Sequence, residues 1–160
     1  MKKAKRKSPK RTQARANKLA KLEKVIERCN GALVAFSGGV DSTFLLSVAA
    51  GVLGPKLLAV TVAFPAVPAA EIKSARRLAR ALKVKHLVIH ADDVMEMERF
   101  RGNPPDRCYH CKKAILSKLF VIAQALGFPC VLEASNKDDA KDYRPVRLAV
   151  KELRAKSPLV

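Results

Sequence analysis

Apolar and polar positions along this chain follow two alternating patterns, and the switches between them mark its elements. Leu19, Leu22, Val25, Ile26 and Cys29 recur at helical spacing, which predicts a helix from about Asn17. Asn30-Gly31 should close it, with Gly31 as a left-handed cap. Ala32-Leu33-Val34-Ala35-Phe36 is a short unbroken apolar run and reads as a buried strand. After the polar break Ser37 to Ser42, helical spacing returns at Phe44, Leu45, Val48 and Ala49. Gly54-Pro55 turns into a second buried strand over Leu57 to Val62. Pro65 and Pro68 interrupt the chain. A helix is then predicted from Glu71 to Leu82 with Ile72, Ala75, Leu78, Ala79 and Leu82 inward, and a third strand over Lys85 to Ile89. Ala91 to Arg107 is irregular and charged, broken by Gly102-Asn103-Pro104-Pro105. A helix from about Tyr109 to Leu126, a strand over Cys130 to Glu133, a polar loop from Ser135 to Pro145 and a helix over Val146 to Arg154 complete the series.

Strands separated by helices of this length need crossover connections. The predicted fold class is therefore α/β, a Rossmann-like parallel sheet with helices on both faces. Ligands in such sheets collect beyond the carboxyl ends of the strands. That edge gathers Ser37 to Ser42, Ala63 to Pro65, Ala91 to Asp93 and Ala134 to Asp139, which predicts one active site.

Length and charge refine this picture. A chain of 160 residues can bury one good core, so one domain over 17–160 is expected behind a basic arm. The arm, 1–16, lacks hydrophobic periodicity and is expected to be disordered or only locally helical. No apolar run approaches the roughly 18 residues of a membrane span, and no apolar segment follows the basic N-terminus, so no membrane association and a cytoplasmic location are expected. The formal net charge is +18, and Met1 to Arg28 holds twelve Lys and Arg against Glu23 and Glu27. Such an arm fits RNA or DNA phosphates, and equally a solvated extension, since no aromatic residue sits among the basic ones to stack on bases. Four cysteines, Cys29, Cys108, Cys111 and Cys130, in a chain with this much core do not suggest a disulfide framework.

The chemistry concentrates in three stretches. Ser37-Gly38-Gly39-Val40-Asp41-Ser42 lies between a strand and a helix, the arrangement that sets backbone N–H groups and a helix N-terminus against an anion. Gly38 and Gly39 are free to take positive φ, Ser37 and Ser42 add hydroxyls, and Asp41 can orient the loop or hold Mg²⁺. A Walker A loop is excluded by the missing Lys-Ser/Thr, and a dinucleotide fingerprint by the missing third Gly and acidic strand end. The second stretch, Arg101 to Lys113, contains Cys108 and Cys111 as C-x-x-C. This fits a zinc half-site, an iron–sulfur half-site or a redox pair, with Arg107, Lys112 and Lys113 expected to lower the thiol pKa values. In the third, Glu133 to Leu159, Ser135-Asn136-Lys137-Asp138-Asp139 directly follows a strand; acids at a strand end suit Mg²⁺ or ribose, while Arg144 and Arg147 suit an anionic substrate or pyrophosphate.

Together, FSGGVDS (Phe36 to Ser42), AVTV (Ala59 to Val62), NPPDRCYHCK (Asn103 to Lys112), SNKDDAKDYRP (Ser135 to Pro145) and SPL (Ser157 to Leu159) resemble the LarE family. These are the ATP-dependent sacrificial sulfur transferases of the ATP pyrophosphatase (PP-loop) superfamily. The resemblance implies the adenine nucleotide alpha hydrolase-like fold, ATP and Mg²⁺, and adenylation of a pyridinium dicarboxylate mononucleotide followed by sulfur transfer. It implies ATP or pyrophosphate contacts from Ser37, Gly38, Gly39, Val40, Asp41, Ser42, Thr61 and Ala63, and substrate or phosphate contacts from Arg107, Asn136, Asp139 and Arg144. Asp41, Cys108 and Cys111 take catalytic roles, the two cysteines also as ligands of the iron–sulfur cluster that some members bind. Three departures stand out: Ala134 replaces the Gly of a GTN-type element, Val146 replaces the Gly after YRP, and the family continues beyond Val160. The expected assembly is a homo-oligomer, or a partner chain that supplies the family's remaining part. The alternatives are a tRNA thiolase of the same superfamily and a non-catalytic nucleotide- or RNA-binding remnant.

Overall fold

The fold is taken from a computed structural model, which describes residues 9–97, 104–136 and 146–160. In chain order the elements are α1 (Pro9–Glu27), β1 (Ala32–Ala35), α2 (Val40–Leu53), a 3-10 turn (Gly54–Lys56), β2 (Leu57–Ala63), α3 (Ala69–Ala81) and β3 (Lys85–His90). They continue with α4 (Asp93–Glu96), α5 (Arg107–Ala125), β4 (Val131–Leu132) and α6 (Val146–Glu152).

Four strands pair in the order β3-β2-β1-β4, all parallel. In the register, Val34 lies beside Ala59 on one side and Leu132 on the other. Alternate residues of β1 feed opposite cores, as the pleat requires. Ala32 and Val34 pack with Leu22 and Ile26 of α1, Leu45 and Leu46 of α2, and Ala75 and Ala79 of α3. Leu33 packs with Leu58, Val60 and Val131 against Leu116 and Leu119 of α5 and Val150 of α6. Both faces are thus covered, which explains why β1 and β2 read as unbroken apolar runs. The edge strand β3 is more open and carries Lys85, His86 and His90, a composition that discourages further pairing.

Several boundaries differ from expectation. Helix α1 begins at Pro9, eight residues before the expected start near Asn17 and within the arm expected to be disordered or only locally helical; the segment is rich in Ala, Arg and Lys, which are good helix formers, and Pro suits the first helical position. Residues 1–8 lie outside the described part. The left-handed residue after α1 is Asn30, at φ +49, with Gly31 following at φ +136. Lys56 Nζ donates to the Asn30 side-chain oxygen at 2.9 Å and holds that turn. A short helix, α4, occupies part of the stretch expected to be irregular. Strand β4 has two residues because the chain then swaps partners: Glu133 N–H donates to Lys156 O at 2.9 Å, and Lys156 N–H to Val131 O at 3.0 Å. The C-terminal segment therefore runs beside β4, with parallel bridges Leu132–Lys156 and Asn136–Leu159. Among the described residues no helix is long and apolar enough to cross a membrane.

Candidate active site

The loop between β1 and α2 is held by its own hydroxyls. Ser42 Oγ donates to Gly39 O at 3.1 Å, Gly39 N–H donates to Ser37 Oγ at 3.3 Å, and the two Oγ atoms lie 3.1 Å apart. Gly38 sits at φ +79, and a Cβ there would stand 3.2 Å from Ala75 Cα and Cβ in α3. Conformation and crowding both demand glycine at this position. Gly39 differs from expectation. Its φ of −70 is open to any residue, so its missing side chain serves access to the backbone rather than backbone freedom. No side chain caps the first turn of α2, which leaves its leading amides for an anionic ligand. Val40 is 86% exposed, so its contribution to such a ligand is its backbone N–H.

These groups open on a cavity of about 490 Å³ lined by Ser37, Gly39, Val40, Asp41, Ser42 and Thr61. Lys112, Ile115 and Leu119 of α5 line it as well, with Glu133, Ala134 and Ser135 after β4. Thr61 is buried, and its hydroxyl donates to Phe36 O at 2.6 Å while lying 2.8 Å from His86 Nε2. That makes Thr61 a brace between β1, β2 and β3 as well as a wall residue. Burial, with Arg76 adding to it, lowers the His86 pKa and favours the neutral ring that donates to Thr61. Asn136 Nδ2 donates to Asp41 Oδ2 at 2.9 Å, tying the segment after β4 to the loop.

Sequence reasoning placed Glu133 at a strand end but did not single it out as a buried acid lining the cavity. Glu133 is 1% exposed and receives Lys112 Nζ at 2.9 Å, Ser135 Oγ at 2.7 Å, Ser135 N–H at 3.2 Å and the Ser157 hydroxyl. Burial alone would raise its pKa. The Lys112 charge and the hydrogen bonds from Ser157, Lys112 and Ser135 outweigh that and hold it below the usual carboxylate range. An acid directly after two core residues was the available signal, since a buried carboxylate must find a cation.

Other predicted residues lie elsewhere. Ala63 lines an adjoining cavity of about 670 Å³. Arg107, Cys108 and Cys111 stand in the first turns of α5, which turns Lys112 and Ile115, not the thiols, to the first cavity. Cys111 is half-buried near Ala91 and Val94, and burial raises its pKa, aided by Cys108 and opposed by Arg107 and Lys112. The expected lowering by neighbouring cations is therefore overturned at Cys111, because desolvation is the larger effect; Lys113 reaches Glu152 and Tyr109 instead. Among the described residues no group of three or more His, Cys, Asp or Glu forms a metal site, so the iron–sulfur expectation finds no support there. Asp138, Asp139 and Arg144 lie outside the described residues. Cys29 and Cys130 are buried in the core: Lys156 Nζ lies 3.6 Å from Cys29 Sγ, while burial and the Cys130 thiol push the Cys29 pKa up to about 11. Exposed Cys108 should be alkylated by iodoacetamide before Cys111, as read by peptide mass spectrometry over time; equal or reversed rates would contradict this placement.

A parallel α/β sheet with a glycine–serine loop feeding an uncapped helix at its carboxyl edge defines a phosphate-binding domain of the nucleotide-handling class. The chain belongs to the asparagine synthase family, whose model matches residues 31–110, half of the sequence. It is 36% identical over 143 residues to an uncharacterized protein of Synechocystis, covering 89% of this chain and 53% of that protein. It is 35% identical over 147 residues to the pyridinium-3,5-bisthiocarboxylic acid mononucleotide synthase of Lactiplantibacillus plantarum, covering 90% of this chain and 52% of the synthase. The chain thus spans about half the length of these curated relatives. Among solved structures, the NH3-dependent NAD synthetase of Campylobacter jejuni superposes with a TM-score of 0.66 at 18% identity, over 78% of this chain and 58% of that one.

Proposed function

We propose that this chain binds ATP and uses it to adenylate a carboxylate of a pyridinium mononucleotide, the activating step of a LarE-type sulfur transfer. The observation that carries the reading is the uncapped first turn of α2, at a cavity that the Lys112–Glu133 pair also lines. The substrate class follows the name of the Lactiplantibacillus plantarum relative.

The β and γ phosphates lie against the amides of Val40 to Ser42, where fixed N–H dipoles meet negative charge without reorganising. A substrate carboxylate oxygen attacks the α phosphorus, the bond to the bridging oxygen breaks, and pyrophosphate leaves. The acyl adenylate has a far better leaving group than the free carboxylate when a sulfur nucleophile arrives. Lys112, held by Glu133, places a cation in the cavity lining, suited to an anionic reactant. Asp41, which lines the cavity and is oriented by Asn136, is the residue to hold Mg²⁺. When bound, the ion would neutralise pyrophosphate. The described residues around Cys108 and Cys111 do not complete a cluster site, and no step is assigned to one.

The test is exchange of labelled pyrophosphate into ATP in the presence of pyridinium-3,5-dicarboxylic acid mononucleotide. Acceptor-dependent exchange is expected, falling by about tenfold or more in Asp41→Asn. Exchange absent with this acceptor in a protein that still binds ATP would remove the substrate assignment. Absence of ATP binding would remove the nucleotide assignment as well.

A further inference from the structure

The loop chemistry leaves the outer face of α3 unexplained. Its inner face is narrow and small: Ala75 and Ala79 are buried, Ala75 against Gly38. Its outer face presents Lys73, Arg76, Arg77 and Arg80, spaced i, i+3, i+4 and i+7 and all exposed. Over about 10 Å of helix axis these are four cations in a single stripe. None of the four forms an ion pair with an acid among the described residues. A merely solvated helix face tends to mix signs, whereas Lys73/Arg77 and Arg76/Arg80 are like-charge i,i+4 pairs that weaken the helix. The one acid of α3, Glu71, instead lines the first cavity.

The stripe also leads somewhere. It borders a concave surface of about 580 Å³, and Lys73 and Arg76 are shared with the adjoining cavity of about 670 Å³ at the carboxyl ends of β2 and β3. That cavity carries Phe64, His90 and Asp92, and shares Phe64, Val67 and Ile72 with the phosphate-loop cavity. A row of cations beside a cavity with aromatic and histidine rings suits a single strand, with backbone phosphates on the row and a base in the recess. The Asp92 carboxylate and the His90 ring supply hydrogen-bonding partners for a ribose 2′-hydroxyl at that point. A lipid surface fits less well, because the stripe holds only Ala70 and Ser74 between its cations and nothing to insert among acyl chains. We infer that the outer face of α3 and the recess beside it form a docking surface for single-stranded RNA. The inference is independent of the adenylation reading and moves the expected RNA contact from the N-terminal arm to the body of the domain.

The experiment is fluorescence anisotropy of the full chain with a labelled single-stranded RNA of about 12 nucleotides, titrated over a range of salt. The variant carrying Lys73→Gln, Arg76→Gln, Arg77→Gln and Arg80→Gln should bind about 30-fold more weakly, with the slope of log K against log salt reduced by about 3. Removing the same number of charges from α1 and the turn that follows it, by Lys18→Gln, Lys21→Gln, Lys24→Gln and Arg28→Gln, should change affinity by less than about threefold. RNA should bind more tightly than DNA of the same sequence. If circular dichroism shows the fourfold α3 variant unfolded, Arg77→Gln and Arg80→Gln singly should each weaken binding by about threefold. Equal losses in the α1 and α3 variants, equal RNA and DNA affinities, or an α3-dependent loss confined to phosphatidylglycerol vesicles would each overturn the proposal.

Discussion

Gly38→Ala is expected to unfold at a urea concentration about 1 M lower and to lose most of its affinity for ATP, while Gly39→Ala keeps its stability. At φ +79 an alanine must adopt a backbone that L side chains avoid, which costs about 1–2 kcal/mol by itself. The new methyl also meets backbone, Ala75 N at 3.3 Å and Ala75 Cα at 3.2 Å, so no flexible side chain can give way. Either α3 retreats from the sheet or the loop shifts, and a shifted loop takes the amides of the α2 first turn from their present positions. Together these effects reach about 2 kcal/mol or more. At Gly39 an added Cβ meets Ser37 Oγ at 3.4 Å, an ordinary contact, on a backbone any residue accepts. Stability there should change by less than about 0.5 kcal/mol, so a nucleotide defect in Gly39→Ala would report ligand access alone. Equal urea midpoints for Gly38→Ala and the parent chain would show that the loop is not pinned to α3 in the way described.

The contrast between these neighbours shows what the sequence could reveal and what it could not. Two adjacent glycines after a strand mark a phosphate loop, but only the position of α3 distinguishes the residue that is conformationally required from the one that keeps a surface clear. The sheet was legible for a related reason. Strands covered on both faces appear as apolar runs with no need to know their neighbours, so β1 and β2 lie where the pattern places them. Strand β4 is shorter than its apolar pattern because Glu133 hydrogen-bonds the tail at Lys156, a pairing set by residues more than twenty positions downstream.

The site divides in the same way. Ser37 to Ser42 is contiguous and was readable as chemistry. The Lys112–Glu133 pair joins the second turn of one helix to the end of a strand, and depends on how α5 is rotated about its axis. That same rotation carries Lys112 into the cavity and leaves Cys108 and Cys111 outside its wall. A C-x-x-C spacing establishes that two thiols are near each other; it does not say which surface they share. The basic stripe of α3 was visible as letters, yet its meaning rests on the cavity beside it and on the absence of acidic partners among the described residues.

Glu133→Ala should be the most destabilising single change at the site. It leaves the Lys112 ammonium, the Ser135 hydroxyl and N–H and the Ser157 hydroxyl without their shared acceptor, three of these on the segments that close the sheet edge. Removing one partner of a buried ion pair costs about 3–5 kcal/mol; Lys112 remains 26% exposed and can recover water, so the lower end of that range is expected. Glu133→Gln keeps an acceptor for the serines but turns an amide NH₂ toward Lys112 or toward them, and should cost less. The pH dependence separates charge from packing. Because the folded-state pKa of Glu133 is depressed, its stabilising contribution is present above the unfolded value of about 4.3 and is lost as pH falls through the folded value. Denaturation of parent and Glu133→Gln chains should therefore differ most above about pH 5 and converge on acidification. Taking the difference between the two chains cancels the other depressed carboxylates, Asp93 and Glu152, which titrate in both. A gap that stayed constant from neutral pH into the acid range would mean that Glu133 acts through shape and hydrogen bonds rather than through its charge on Lys112.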